Sequence, residues 1–350
     1  MLTFFLFIVI SLLHCFTLTS EAHISKARQV AEKIHVALAV DSKSARDGLI
    51  VATSVVNSAF VPENVVLHVV TTGVDMTYAE TLATEFREHL KSCLPVIASR
   101  EQYEVKPFVL PRERGFGAQL ERRKTVAMGG SSHWNSDSGA DMVRFYLPEI
   151  FSHLERILYV DNDVIVSCCL EEIWSTYIPD GKAVGIALDD LKWATTTQFQ
   201  RHYNASHPVV YNSIRRSYSN ESKPLSQDEF LKALPRYPND GVLLFDVQKY
   251  AKYSILANAE EVAMLNNKDG VYVVGLGTQQ FTVLSMHDKW VELTPRANLR
   301  RFPDMARGYL MWFYYNGFVH SAGQHKPRKF CSEGSDNEHQ RGRSILIYLS

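Results

Sequence analysis

Apolar positions along this chain gather in short runs, and their period switches repeatedly between continuous and helical. Ile34–Val40 is apolar apart from His35 and stops at Asp41, the pattern of a strand buried on both faces. From Gly48 to Phe60 apolar side chains recur at helical spacing. Val65–Val70 then reads as a second strand and Tyr78–Leu90 as a second helix. Val105–Leu110 is a third strand and Asp141–Phe151 a helix. Arg156–Val160 is a strand that runs straight into Asp161-Asn162-Asp163. Val184–Leu188 and Val242–Val247 add two more strands. Strands alternating with helical segments imply crossover units, hence an α/β fold on a mixed, mostly parallel sheet covered on both faces. Residues 111–140, rich in Gly, Ser, Arg and Lys, read as a loop insertion. Residues 192–236 are polar and aromatic with no clean period, and a long irregular segment in a compact domain usually serves function. No internal repeat interrupts this plan. From Ser332 the chain is polar, up to a short apolar end at Ile345–Leu349.

Composition adds size and compartment. With 350 residues and 46% hydrophobic content, the chain buries one large domain or two intimate halves. Lys+Arg 37 against Asp+Glu 38 gives a net charge of −1 without a block of like charge, so nucleic acid is not the expected partner. Residues Leu2 to Thr19 carry no charged side chain. A signal peptide cleaved near Ser20-Glu21-Ala22 and a retained type II anchor both fit, since an anchor needs ~20 apolar residues. Either way, residues 1–22 send the rest of the chain into the lumen of the endoplasmic reticulum or Golgi, or to the exterior. Residues 23–33 follow as a short stem, 34–330 as the main domain and 331–350 as a polar tail. Asn204-Ala205-Ser206 and Asn220-Glu221-Ser222 are glycosylation sequons of the same compartment. Cys93, Cys168, Cys169 and Cys331 fit no zinc spacing, and their pairing is not readable from the sequence.

The chemistry centres on Arg156-Ile-Leu-Tyr-Val-Asp161-Asn162-Asp163-Val-Ile-Val. Two carboxylates one residue apart, with apolar strand sequence on both sides, would stand at the carboxyl end of a strand. Ligands of open α/β sheets bind at that end. Such oxygens suit Mg²⁺ or Mn²⁺; the plainer reading is a polar turn between two strands. The second element is His320-Ser-Ala-Gly323-Gln-His325-Lys326-Pro327, in which a neutral imidazole is a good further ligand for Mn²⁺. Gly323 lets backbone approach a phosphate closely, and Lys326 supplies a point charge. Alone, this segment is a basic turn.

Together these motifs resemble family 8 retaining glycosyltransferases, and most of all the glycosyltransferase 8 domain-containing and galacturonosyltransferase-like branches. The resemblance spans roughly residues 34 to 330 and rests on ordered segments. These are Ala39-Val40-Asp41, Arg144-Phe-Tyr-Leu-Pro, Tyr-Val-Asp161-Asn162-Asp163, Asn239-Asp-Gly241-Val-Leu-Leu-Phe, Asn298 and His320-x-x-Gly323-x-x-Lys326-Pro327. It implies a GT-A fold with a Rossmann-like nucleotide-binding half. It also implies a UDP-sugar donor, Mn²⁺ with Mg²⁺ as the alternative, a glycan, lipid or protein acceptor, and retention at the anomeric carbon. Asp161, Asp163 and His320 would hold the metal. Asp41 would meet uracil or ribose, and Gly323 and Lys326 the diphosphate. Asp189 and Asn239 would bind sugar hydroxyls, with Arg144, Asn162, Gly241 and Asn298 completing the donor site.

Departures from the family pattern are Arg328 after Lys326-Pro327 and Ala297 before Asn298, both at positions where tryptophan is usual. Neither removes a metal ligand. Retention needs either a nucleophile beneath the sugar or attack from the leaving group's own face. The family often has an acid in the segment that here reads Gly275-Leu-Gly277-Thr278-Gln279-Gln280-Phe281, and none is present. That favours same-face attack, with Gln279 beneath the sugar or as a plain loop residue. A nucleotide-sugar-binding protein without turnover is the competing reading. A nicotinamide oxidoreductase would need Gly-x-Gly-x-x-Gly after the first strand, where Asp41-Ser-Lys-Ser-Ala-Arg stands.

Overall fold

The computed structural model describes residues 33–73, 75–94, 99, 101–118, 139–166, 170–188, 204, 207–210, 238–272, 278–286, 288–294, 299–300 and 318–320, the last two segments by backbone alone. Residues 1–32 and 331–350 therefore lie outside the description, as do nearly all of 192–236 and residues 119–138. No helix among the described residues is long and apolar enough to cross a membrane.

The first strand, β1 (Ile34–Val40), is buried at every position except His35. Helix α1 (Ala45–Ser58) returns the chain to β2 (Val65–Thr72), and α2 (Met76–Cys93) carries it to β3 (Tyr103–Phe108). Asp75 caps α2, accepting from the Tyr78 N–H at 2.7 Å. The helix expected over 141–151 is broken into α3 (Ala140–Val143) and α4 (Leu147–Ile150). Pro148 has no N–H to give the Arg144 carbonyl, so one continuous helix is interrupted there. Then come β4 (Arg156–Val160), β5 (Val164–Val166), α5 (Leu170–Trp174), β6 (Val184–Leu188) and β7 (Pro238–Asp246). Helices α6 (Val247–Lys252), α7 (Ile255–Asp269) and α8 (Gln279–Met286) precede the short strands β8 (Trp290–Glu292), β9 (Leu299–Arg300) and β10 (Phe318–His320).

Several boundaries shift from expectation. The first helix starts three residues earlier than Gly48 and ends at Ser58, β3 is displaced toward the amino terminus, and β7 starts at Pro238. Residues 115–118 form a helical turn inside the stretch expected to be loop. Helix α7, closed by Gly270 at φ 67°, is not among the expected elements, and the segment of Gln279 is helical instead of loop.

Seven strands form one sheet in the order β3-β2-β1-β4-β7-β6-β8. Neighbours pair in parallel except across β7, which runs antiparallel to both β4 and β6. The sheet is thus mixed and mostly parallel. One apolar cluster lies on each face. Val36, Leu38, Leu158 and Val160 point toward α1, α2 and α5, whereas Ala37, Ala39, Ile157 and Tyr159 point toward Phe145, Tyr146 and Phe281. Chain order runs outward from β1 through β2 to β3, then reverses to β4 on the other side of β1. That reversal is a topological switch point, where adjacent connections leave opposite faces and open a crevice at the strands' carboxyl ends. A second, small sheet, β5-β10-β9, adjoins it.

Candidate active site at the switch point

Three strand ends meet at this crevice. Asp41 ends β1, Asp161-Asn162-Asp163 follows β4, and Asn239-Asp240-Gly241 opens β7. Backbone pairing fixes their relation: the Asp161 N–H donates to the Gly241 carbonyl at 2.8 Å. The Asn162 side-chain amide donates to the Ala39 carbonyl at 3.3 Å, tying the acidic turn to the end of β1. Asp161 is also held from within the turn, its Oδ1 accepting from the Asn162 N–H at 3.1 Å and the Tyr159 hydroxyl at 3.0 Å.

Arg144 organises the remaining charge. The break between α3 and α4 turns its side chain into the crevice, where it is 3% exposed. Nε donates to the Asp141 carbonyl at 2.9 Å, and Nη1 donates to the Asp240 carbonyl at 2.7 Å. Nη2 meets Asp161 Oδ2 at 3.1 Å, and Nη1 lies 3.3 Å from Asp240 Oδ1. The guanidinium also sits over the Tyr159 ring, 4.8 Å from its centroid. Burial by itself would lower its pKa, but Asp161, Tyr159, Asp240 and Asp141 outweigh burial and hold it well above the ordinary value. Burial, with Asp161 and Asp141 adding to it against Arg144, raises the Tyr159 phenol well above its usual value, so it stays a neutral donor to Asp161.

Asp240 was not singled out in the sequence, because it occupies the variable middle position of Asn-x-Gly. It is 5% exposed. Its Oδ2 accepts from the Thr278 hydroxyl at 2.6 Å and the Thr282 hydroxyl at 3.0 Å, both at the amino-terminal end of α8. Gln279, next to Thr278, is 6% exposed at the start of that helix. Asn239 turns its Oδ1 to the Gly241 N–H at 3.1 Å, while its Nδ2 is buried with no hydrogen-bond partner among the described residues. An unsatisfied buried donor at a crevice is costly unless a ligand meets it.

At the end of β1, Asp41 Oδ1 accepts from the Lys43 N–H at 3.0 Å, the Ser44 N–H at 2.8 Å and the Ser44 hydroxyl at 2.7 Å. These bonds shape the turn into α1. His320 enters through β10, whose antiparallel register pairs His320 with Val164, the residue after Asp163. Residues Asp189, Asn298, Gly323 and Lys326 lie outside the described residues. Among the described residues no three His, Cys, Asp or Glu side chains form a metal-holding group, and the His320 side chain is not among them.

The comparisons identify the family and the fold. The model of glycosyl transferase family 8 matches residues 35–327. Human glycosyltransferase 8 domain-containing protein 2 is 24% identical over 202 residues, covering 56% of this chain and 56% of that protein. Probable galacturonosyltransferase 13 of Arabidopsis thaliana is 23% identical over 265 residues, 70% of this chain and 46% of that protein. The chain thus spans about half the length of these curated relatives. The galactosyltransferase LgtC, solved with donor and acceptor sugar analogs, superposes with a TM-score of 0.50 at 17% identity, covering 84% of this chain and 88% of that one. The bifunctional glycosyltransferase WbbM gives 0.53 at 14% identity over 85% of this chain and 47% of that one. At such identities the likeness is one of fold, and the fold is GT-A. With a family model running from the second residue of β1 to the residue after Lys326, the chain belongs to glycosyl transferase family 8.

Proposed function

We propose that this chain is a divalent-cation-dependent enzyme that transfers a sugar from a UDP-sugar to a glycan, lipid or protein acceptor, with retention at the anomeric carbon. The observation that carries the reading is the register setting the His320 backbone beside Val164, directly after the Asp161–Asp163 turn at the switch point. Two carboxylates and an imidazole are the donor set that Mn²⁺ accepts, and Mg²⁺ with it less readily. Asp141, Asp161 and Asp240 all act on one guanidinium, which gathers carboxylates at the crevice where a cation would bind. When bound, the ion would neutralise charge developing on a departing diphosphate.

The chain's own residues would do the rest. Arg144, Tyr159 and the Asn162 N–H fix Asp161 in one rotamer. Asn239 Nδ2 is available to a sugar hydroxyl. Asp41 would lie against the nucleoside, with Asp189 and Asn298 along the donor, and Gly323 and Lys326 at the diphosphate. Residues 275–281 contain no carboxylate, which supports same-face attack with Gln279 beneath the sugar over a covalent carboxylate intermediate.

The apolar Leu2–Thr19 and the two sequons support a lumenal setting. So does the disulfide at Cys93, whose partner cysteine lies outside the described residues. A reporter fused to residues 1–30 should enter the endoplasmic reticulum; a cytosolic reporter would contradict this part.

UDP release from a panel of UDP-sugars, with and without Mn²⁺, tests the activity. At least one donor should turn over, chelator should stop it, and Asp163→Ala should abolish it with little rescue by added Mn²⁺. Donor binding without UDP release would instead identify a non-catalytic nucleotide-sugar-binding protein. Turnover indifferent to chelator and to Asp163→Ala would overturn the metal assignment.

A further inference from the structure

Arg144 makes two close ion pairs, with Asp141 acting on it as a third carboxylate. Asp161 Oδ2 takes Nη2 at 3.1 Å, and Asp240 Oδ1 lies 3.3 Å from Nη1. Both acids are shielded, with side chains 19% and 6% exposed. In so low a dielectric the guanidinium's charge is felt strongly by each, and neither receives all of it. Asp240 is committed to this place. Its carbonyl accepts from the same Nη1 at 2.7 Å, and its Oδ2 takes the Thr278 and Thr282 hydroxyls at 2.6 and 3.0 Å. These are contacts an ionised carboxylate accepts without competing for metal. Were residue 240 uncharged, the guanidinium would be less offset and would oppose more strongly any cation that approaches Asp161.

We propose that Asp240 is a positioning residue that sets the cation affinity of the site, by offsetting part of the charge of Arg144 beside Asp161. This rests on the functional reading above, in which Asp161 is a metal ligand.

The experiment is calorimetric titration of Mn²⁺ into the intact chain with saturating UDP, alongside thermal melting of each variant. Asp240→Asn keeps shape and can still bond both threonine hydroxyls, which accept as readily as they donate. It should melt near the native temperature yet bind Mn²⁺ about tenfold more weakly, equivalent to ~1.4 kcal/mol. Asp240→Glu should recover part of the affinity. The double variant Thr278→Val/Thr282→Val removes the hydroxyls but not the charge, and should change the Mn²⁺ Kd less than about twofold. Equal weakening in the threonine variant and in Asp240→Asn would show packing, not charge, and overturn the proposal. If Asp240→Asn does not fold, Arg144→Gln/Asp240→Asn carries the test, because it removes one charge of each sign. It should bind Mn²⁺ within about threefold of the native chain, and a tenfold loss would overturn the proposal. Native protein that binds Mn²⁺ while Asp240→Asn binds it equally well sinks this inference alone. Native protein that binds no Mn²⁺ with UDP sinks the functional reading and this inference with it.

Discussion

At the scale of single residues, the switch-point crevice is held by one buried cation. Arg144 makes its contacts with Asp141, Asp161 and Asp240 through three different nitrogens, a geometry that only a planar fork supplies. Arg144→Met would leave Asp161 and Asp240 without it, and removing one partner of a buried ion pair costs ~3–5 kcal/mol. Urea unfolding should show a loss of that size, with Arg144→Lys recovering only part. Lys326 belongs to the His320–Pro327 segment, and its proposed role is different in kind. A compact ammonium at the leaving diphosphate matters most as the sugar–phosphate bond breaks. Lys326→Ala should therefore lower kcat more than it raises KM, by ~2–4 kcal/mol of barrier, with folding intact. An unchanged kcat would make the 320–327 segment structural.

At the scale of elements, the amino-terminal half of the sheet carries a second, part-buried polar group away from the crevice. His35 on β1, His68 on β2 and Glu104 on β3 form a chain across three parallel strands. His35 Nδ1 is 2.8 Å from His68 Nε2, and His68 Nδ1 is 3.1 Å from Glu104 Oε2. Burial first, then His35 and Lys106, lower the His68 pKa to about 4 against the pull of Glu104. Burial, His153 and Lys33 lower that of His35. Unfolded histidines bind a proton below ~6.5 and both folded pKa values lie lower, so stability present above that pH is lost as pH falls toward the folded values. For His68 the loss should reach about 2 kcal/mol between pH 7 and pH 5. Urea midpoints at the two pH values should show it, and His68→Gln should reduce the difference. An equal difference in the variant would place the dependence elsewhere.

At the scale of the whole molecule, the GT-A sheet brings β1, β4 and β7 together, while the covalent link at Cys93 anchors the end of α2. A disulfide of this kind contributes ~2–4 kcal/mol, so a reductant or Cys93→Ser should lower the urea midpoint correspondingly. A free thiol at Cys93 in protein purified from the secretory pathway would contradict both the bond and the compartment proposed above.

Much of this was written locally. The strands Ile34–Val40, Arg156–Val160 and Val184–Leu188 were legible to the residue, because a doubly buried strand is a continuous apolar run. The Asp161–Asp163 turn was legible because charge interrupts such a run abruptly. Helix α7 was also within reach. Ile255, Ala259, Val262 and Ala263 recur at helical spacing before Gly270, yet polar residues such as Asn266 and Asn267 dilute the signal. The rest was not local. Nothing in the apolar pattern says that β7 runs antiparallel against β4, or that β10 pairs with β5, since any strand presents the same backbone donors and acceptors. The sequence by itself determined which residues could do chemistry and which segments would be buried. Only the tertiary structure decided that Asp161 stands beside Gly241, that Val164 pairs with His320, and that Asp240 shares Arg144. Hydrogen bonds and buried charge select partners by distance in the folded chain, and the spacing of residues along it does not encode that distance.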